Sequence, residues 1–306
     1  MLKCPPTTIR TLCDPPAMSQ ALDDLLQTLT VTPLGEHRWQ GRGSTADGAD
    51  GTYGGHYLGQ ATAALLADGG EGRTLHSLHA YFLRSGRPEH AYEYRVEQVR
   101  EGRSFSNRRV QCWQQDKLTF EMSASLMVPE TGVCLKTRVP DDFATLPAPE
   151  SLARYGDVMR GLDPLPLPAA WALRAHGIDL RPINAPWCER GVSAAGGIRH
   201  WIRADGTVPD DTAMHTALLA YQSDESISDN ILIPFGVNWG APGLNFVSLD
   251  HAMWFHQAVD LNDWLFIEQW PARAGGGRGL AHGRVWNRRG ELLVSFAQEA
   301  LLRYTP

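Results

Sequence analysis

The chain has 306 residues, and its 28 lysines and arginines against 34 aspartates and glutamates give a formal charge of −6. This length suits two domains of ordinary size, each long enough to bury its own core. The moderately acidic balance, with no basic block, argues against nucleic acid as a partner. No apolar run approaches the roughly 18 to 20 residues that span a bilayer, so we predict no membrane span.

The N-terminal segment 1–17 contains prolines where a signal peptide needs an unbroken apolar stretch. We expect it to be a disordered extension and not a leader for secretion. The cysteines are few, widely spaced and free of any C-x-x-C pair: Cys4, Cys13, Cys112, Cys134 and Cys188. This usage indicates a reducing cytoplasmic location and no structural zinc, and we predict neither a metal site nor a cofactor.

Two different helices are predicted in the first half. Ser19 can cap the first, whose leucines have the spacing of a helix with one buried face: Leu22, Leu25, Leu26 and Leu29. The second, at 54–67, has small and apolar residues on nearly all sides, which is typical of a buried helix. Strands follow at 91–99 and 118–126, where apolar and polar residues alternate. The first half therefore predicts an antiparallel sheet wrapped around one buried helix.

The segment 131–177 breaks this pattern with a series of prolines: Pro140, Pro147, Pro149, Pro164, Pro166 and Pro168. We predict a connector that crosses the surface of the first unit, with short helices near 151–159 and 169–176. The predicted organisation is a first domain at 18–135, a Pro-rich linker at 136–177 and a second domain at 178–306.

The second half repeats the plan of the first. A helix is predicted at 210–224, and strands are predicted at 199–203, 246–256, 264–270, 279–287 and 292–303. The strand LTFEMSASL at 118–126 aligns with LLVSFAQEA at 292–300, at a separation of about 174 residues. Because two copies can diverge, polar residues that only one copy carries are candidates for function.

Three polar residues distinguish the second copy. Gln298 lies on an otherwise apolar strand face, where the first copy has Ala124; it is either a structural amide satisfied by a nearby turn or a functional group. Asp224 ends the second helix, where the helix dipole raises the pKa of a carboxylate, unless the residue is solvated in a polar exit turn. Ser248 opens a strand, where a lone serine is usually structural.

Other motifs indicate less. No G-x-S-x-G sequence supports a serine-hydrolase triad, and we interpret His251, with Trp254, as a core residue. The GGGRG stretch at 275–279 matches neither a dinucleotide-binding motif nor a P-loop. It is read as a flexible connection between strands, whose Arg278 could meet a phosphate.

Several ordered motifs between about Met18 and Tyr304 are shared with one known family. They are GGHYLGQA at 54–61, HSLHAYFLR at 76–84, GRSFS at 102–106, WIRADG at 201–206, DHAMWFH at 250–256 and Gln298-Glu299. With these motifs the chain resembles the acyl-CoA thioesterase II (TesB-like) family, whose members carry two hotdog folds in one polypeptide. The resemblance implies an α+β double hotdog that hydrolyses acyl-CoA to a fatty acid and CoA. It also implies a homo-dimer or homo-tetramer that uses no cofactor.

The resemblance also implies roles for individual residues. The family's catalytic aspartate, hydroxyl residue and glutamine fall on Asp224, Ser248 and Gln298. The predicted substrate-binding residues are Gly55, His56 and Arg278. The sequence departs from the family at His56, where many relatives have Gln, and in the polar segment 225–230, which is usually apolar. The first departure predicts an altered pocket mouth, and the second predicts a different acyl-chain preference.

This residue set predicts general-base hydrolysis, in which Asp224 takes a proton from a water held by Ser248 and Gln298. Because the first copy lacks the set, we expect one active site per chain. Two alternatives stay open at this point. An enoyl-CoA hydratase of the same fold usually pairs Asp with a His five residues later, and Asp211 and His215 are one residue short of that spacing. A non-catalytic acyl-CoA-binding protein is the other, although the presence of the full set weighs against it.

Overall fold

A computed structural model describes residues 19–44, 51–69, 72–163, 165, 167–184 and 197–305 of the chain. The predicted extension at 1–17 lies outside these residues. Within the described ranges, no helix has both the length and the apolar character that crossing a membrane requires.

The strands join in one antiparallel sheet. Those of the first half are β1 (Thr32–Gly35), β2 (Arg38–Gly41), β3 (Thr74–Phe82), β4 (Tyr92–Glu101), β5 (Phe105–Gln114) and β6 (Lys117–Met127). Those of the second half are β7 (Ile178–Pro182), β8 (Arg199–Ala204), β9 (Leu244–Ser248), β10 (Asp250–Phe255), β11 (Leu265–Gly275), β12 (Arg278–Asn287) and β13 (Leu292–Tyr304). A large antiparallel sheet combined with helices confirms the predicted α+β class.

The order of the strands shows that the two halves are copies. It is β1-β2-β4-β5-β6-β3-β10-β13-β12-β11-β8-β7, with β9 paired to β13. The order is symmetric about the central pair of β3 and β10. The equivalent strands β4 and β11 also share an irregularity. The pairing register shifts between Gln98 and Arg100 in β4 and between Pro271 and Arg273 in β11. A pseudo-two-fold axis between β3 and β10 therefore relates the two units, as the sequence repeat predicts.

Two buried helices lie together under this sheet. The helices are α1 (Gln20–Leu29), α2 (Gly54–Gly69), α3 (Tyr155–Arg160), α4 (Ala169–Ala172), α5 (Thr212–Ser223) and α6 (Asp229–Leu232). As predicted, Ser19 caps α1, and its hydroxyl oxygen accepts from the Leu22 N–H. α2 and α5 are buried nearly all round and pack against each other. A Cβ on Gly59 would lie 3.2 Å from the Ala217 carbonyl oxygen, a tight contact, so a glycine here favours the close approach of the two helices.

One predicted strand is broken in the structure. The expected continuous strand at 246–256 divides into β9 and β10 at Leu249. The Asp250 carboxylate accepts the backbone N–H of Glu299 at 2.8 Å, and this side-chain bond replaces a ladder bond at the break. No glycine or proline marks the break, so the sequence pattern did not reveal it. The break leaves Ser248 at the end of β9, beside the middle of β13.

The first part of the connector packs on the second unit, where the sequence predicted a crossing of the first unit. Its later part contacts the first unit through Trp171 and Tyr53. Connector side chains cover an aromatic cluster on β8, β11, β12 and the residue before β11. The cluster is Trp201, Trp264, Phe266 and Trp286, and the covering residues are Val139, Phe143, Leu146 and Leu152. The indole N–H of Trp201 also donates to the Pro147 carbonyl oxygen at 3.1 Å. Large apolar side chains on the outer sheet face of the second unit supply the surface that the connector buries.

Candidate active site

A buried carboxylate lies where the two central helices meet. Asp224 caps the C-terminus of α5 and is 9% exposed. Its Oδ2 accepts a 2.9 Å hydrogen bond from the backbone N–H of Gly55, in the first turn of α2. A Cβ on Gly54 would lie 2.6 Å from the same oxygen, so both glycines bring the α2 backbone up to the carboxylate. Among the described residues, Oδ1 has no hydrogen-bond partner.

The surroundings of Asp224 make it a base of intermediate strength. Burial raises the pKa of its carboxyl group from 3.8 to about 6, and the neighbouring Glu225 acts in the same direction. The Gln298 amide and the Gly55 N–H favour the ionised form and oppose this rise. A carboxylate with a pKa near 6 is ionised at neutral pH and still accepts a proton readily. Asp224 is therefore suited to general-base chemistry.

Gln298 joins two serines from separate segments. Its side chain is 0% exposed on β13, and its amide nitrogen donates to Ser248 Oγ at 2.8 Å and to Ser228 Oγ at 2.7 Å. Its amide oxygen is hydrogen-bonded to the Nδ1 of His251 on β10. Both N–H groups and the oxygen of this buried amide thus have a protein partner, as burial of a polar group requires. The structure brings Ser248 and Gln298 into contact, and the Gln298 amide is close enough to lower the pKa of Asp224.

Two residues of this site were missed from the sequence. Ser228 lies in the polar segment 225–230, which was connected only with acyl-chain preference. His251 was interpreted as a core residue, and its 0% exposure agrees, but both of its ring nitrogens have polar partners. For His251, the sequence does contain a signal: a polar residue stands on a buried strand face where the first copy has an apolar one.

The segment after α5 turns its polar side chains inward. Ser226 Oγ and Asn230 Nδ2 both donate to the Gln269 amide oxygen at 3.0 Å, and Gln269 Nε2 donates to the Glu225 carbonyl at 3.2 Å. These buried bonds fix the turn between α5 and α6. They hold Ser228 against Gln298.

The connector covers the turn that carries Asp224. Arg174 forms an ion pair with Glu225, and both side chains are 5% exposed. The Arg174 guanidinium also lies 3.5 Å from the ring centroid of Trp171, which in turn contacts Tyr53. Tyr53 precedes the two glycines of α2 and donates its hydroxyl to the Tyr221 carbonyl oxygen at 3.1 Å. Connector, α2 and α5 therefore meet beside the carboxylate.

The predicted substrate-binding residues take different places. Gly55 contacts Asp224 directly. The His56 ring packs beside Tyr92 in the first unit, with its Nε2 2.9 Å from the Arg42 carbonyl oxygen. Arg278 begins β12, with a side chain that is 55% exposed and an ion pair to Glu299. Substrate contacts of His56 and Arg278 stay predictions.

The residues considered for a hydratase have structural contacts. The Asp211 carboxylate caps α5 by accepting from the Ala213 N–H at 2.9 Å. His215 Nδ1 accepts the Leu261 backbone N–H at 3.1 Å. This aspartate is thus a helix cap and this histidine holds a loop, and neither contact assembles the Asp–His pair that hydration requires.

The first unit has apolar residues at the positions equivalent to the polar set. Ala124, the counterpart of Gln298, pairs with Leu78, whereas Gln298 faces His251. Leu126 pairs with Leu75, whereas its counterpart Ala300 pairs with Ser248. Leu75, Leu78 and Ala124 thus stand where the second unit has Ser248, His251 and Gln298. A cavity of about 420 Å³ is lined in part by Leu66, Leu75 and Thr212.

Comparison with known proteins identifies relatives across nearly the whole chain. The profile of a family described as acyl-CoA thioesterase matches residues 185–301, and that of an acyl-CoA thioesterase N-terminal domain matches residues 42–127. The acyl-coenzyme A thioesterase 8 of Rattus norvegicus is 33% identical over 294 residues, which cover 91% of this chain and 88% of that protein.

Solved structures give the same fold. The tesB protein of Mycobacterium avium subspecies paratuberculosis is 30% identical with a TM-score of 0.75, covering 94% of this chain and 100% of that one. A hotdog-fold protein of unknown function from Alicyclobacillus acidocaldarius has a TM-score of 0.74 at 17% identity, covering 94% and 100% of the two chains. These likenesses confirm the predicted double hotdog.

Proposed function

Because this chain belongs to the acyl-CoA thioesterase family and is a thioester hydrolase, we propose that Asp224, Ser248 and Gln298 form its catalytic set. The observation that carries this proposal is the state of Asp224. It is a buried carboxylate with a raised pKa, one oxygen held by Gly55 and the other free of protein partners in the described part of the chain. The bonded pair of Ser248 and Gln298 beside it supplies the means to hold a water.

The proposed reaction is direct attack of water on the thioester. Asp224 accepts a proton through Oδ1 as the water oxygen adds to the carbonyl carbon, forming a tetrahedral intermediate. The intermediate collapses with cleavage of the C–S bond, and the electron pair leaves with sulfur as the CoA thiolate. The proton held by Asp224 then passes to the thiolate or to solvent. General-base assistance of this kind contributes about 10² to 10⁴ in rate.

Ser248 is proposed to orient the attacking water. Its hydroxyl oxygen accepts from Gln298, so its hydrogen is directed to a further acceptor. A water bound to Ser248 on one side and to Asp224 on the other has its proton directed at the base. Positioning a reactant in this way lowers the entropic part of the barrier.

The proposed set is tested by measuring free thiol released from a panel of acyl-CoA esters of increasing length. We expect Gln298→Ala and Ser248→Ala each to lower kcat at least about tenfold, while binding of a non-hydrolysable acyl-CoA thioether is retained. Ser295→Ala is the matched control, because this serine is on β13 but bonds to His256 at the partly exposed side. Native turnover in folded Gln298→Ala would reject the set. Hydration of crotonyl-CoA without thiol release would instead support the hydratase.

Direct attack by water is separated from attack by Asp224 itself in a single turnover in ¹⁸O-water. With excess enzyme, our proposal predicts that the label enters the fatty acid in the first turnover. Label that appears first in the Asp224 carboxylate would show a covalent acyl-enzyme and contradict the general-base role.

We further propose a cytoplasmic homo-dimer or homo-tetramer. The central strands expose apolar side chains on the outer face of the sheet, including Tyr81, Val247 and Trp254. Exposed apolar groups of this kind favour association with a second copy. Light scattering coupled to size exclusion tests this: a mass of two or four chains is expected, and a monomer at micromolar concentration contradicts it.

A further inference from the structure

The imidazole of His251 is buried next to the proposed catalytic set but takes no part in the proposed reaction. His251 is fully buried on β10 and its ring stacks on Phe296, with 6.1 Å between ring centroids. The equivalent position in the first unit is Leu78, which shows that an apolar residue fits this point of the fold. A buried imidazole costs desolvation free energy compared with leucine. Its presence in the unit that carries Gln298 therefore needs a reason.

The partners of His251 determine where its proton lies. Burial lowers the pKa of its imidazole to about 4, so the ring is neutral at physiological pH and carries one N–H. Nδ1 is bonded to the Gln298 amide oxygen, which can only accept. The proton is therefore on Nδ1. Nε2 lies 3.0 Å from Ser223 Oγ, whose single hydrogen is shared between this nitrogen and the Ala220 carbonyl oxygen at 2.9 Å.

These bonds form a chain with one direction. His251 donates to the oxygen of Gln298, and the Gln298 nitrogen donates to Ser248. An amide can turn by 180° in the same space, which would exchange its oxygen and nitrogen. With oxygen in the place of nitrogen, Gln298 would accept from Ser248 and draw the hydroxyl hydrogen away from any water.

We propose that His251 is a positioning residue for hydrolysis, which holds the Gln298 amide in the one orientation that leaves the Ser248 hydroxyl free to donate. His251 touches neither Asp224 nor substrate in this account, and it acts through Gln298. The inference rests on the proposed function of Gln298 and Ser248.

Two substitutions separate positioning from packing. His251→Leu restores the residue type of the first unit and removes the N–H, whereas His251→Asn keeps an amide N–H close to the place of Nδ1. We expect His251→Leu to lower kcat about tenfold or more with KM changed less than about twofold. His251→Asn is expected to recover most of the lost turnover. Equal loss in both folded variants, or native kcat in His251→Leu, would overturn the proposal.

A double-mutant cycle tests whether the effect passes through Gln298. In the Gln298→Ala background, His251→Leu is expected to cost no further turnover, because the amide that it orients is gone. An undiminished cost in that background contradicts a role through Gln298. Loss of activity in Gln298→Ala with native activity in His251→Leu rejects only the positioning role, whereas native activity in both rejects the catalytic set itself.

The tautomer of His251 is an independent readout that requires no change to the active protein. ¹⁵N chemical shifts of the ring distinguish Nδ1–H from Nε2–H, and the signal is assigned by its loss in His251→Asn. Our proposal predicts the Nδ1–H form. Protonation on Nε2 would place an amide N–H of Gln298 opposite Nδ1, and it would overturn the proposed direction of the chain even if His251→Leu failed to fold.

Discussion

The backbone N–H of Gly55 lies 2.9 Å from Oδ2 of Asp224, so the first unit of the chain supplies a hydrogen bond to the carboxylate of the second. The bond comes from the first turn of α2, whose N–H groups have no partner within the helix and carry partial positive charge. A site with its polar side chains in one unit is thereby completed by the backbone of the other. Both hotdog units therefore contribute to the surroundings of Asp224.

The approach of α2 to Asp224 predicts the effect of a single methyl group. In Gly54→Ala the new Cβ would lie 2.6 Å from Asp224 Oδ2 and 2.9 Å from Phe82 Cε1, so the carboxylate must move. A displacement of this kind lowers kcat by about 10 to 10². Steady-state thiol release checks this prediction. Gly132→Ala is the control, since a Cβ there meets nothing within 4 Å, and a matching loss in that variant would contradict our explanation.

The sequence could predict the elements of the fold but not the contacts between the two units. The alternating strands and the buried helices at 54–67 and 210–224 follow from residue periodicity, and the structure has them with small shifts of boundary. Periodicity also predicts which face Gln298 occupies. Periodicity contains no information on which residues far apart in the sequence come into contact, so it could not predict the bond from Gly55 to Asp224.

Burial patterns also hid part of the candidate site. His251 has the pattern of a core residue because it is one, and only its partners distinguish it from Leu78. Ser228 lies in a turn whose polar residues would be solvated if the turn faced outward. The break at Leu249 depends on a side-chain bond from Asp250, which local alternation does not reveal.

The pKa of Asp224 predicts the pH dependence of hydrolysis. The ionised carboxylate is the active form, so kcat/KM should fall as the pH decreases through about 6 and reach a plateau above about 7. Asp229 is a second buried acid, with a pKa raised by burial to about 7, and serves as the control. Asp229→Asn is expected to keep the acidic limb of the profile. If the acidic limb disappeared in Asp229→Asn, the titrating group would be Asp229 and not Asp224, and this would contradict the prediction.

The buried ion pair between the connector and the second unit predicts an effect on stability. Arg174→Met leaves Glu225 as an unpaired buried charge, which should lower the free energy of unfolding by about 3 to 5 kcal/mol. Adding Glu225→Gln removes that charge and should recover part of the loss. Urea denaturation measures both variants. Arg138→Ala removes an exposed pair to Asp141, with side chains 85% and 81% exposed, and should have no measurable effect.

Asp224 is expected to lower the free energy of unfolding at neutral and alkaline pH. Its pKa in the folded state is about 6 against 3.8 for the unconstrained group, so the folded chain binds its proton more tightly than the unfolded chain. The free energy of unfolding from this group is therefore highest below pH 3.8 and falls as the pH rises through 6. Asp224→Asn should consequently be about 1 to 3 kcal/mol more stable at pH 8. Any loss of activity in that variant cannot then be ascribed to unfolding.

The most direct measurement is the kcat of Asp224→Asn at pH 8, taken together with its affinity for a non-hydrolysable acyl-CoA thioether. Removal of the proposed base should lower kcat by at least about 10², with the Kd for the thioether unchanged. A folded Asp224→Asn protein that releases thiol at the native rate would contradict the account.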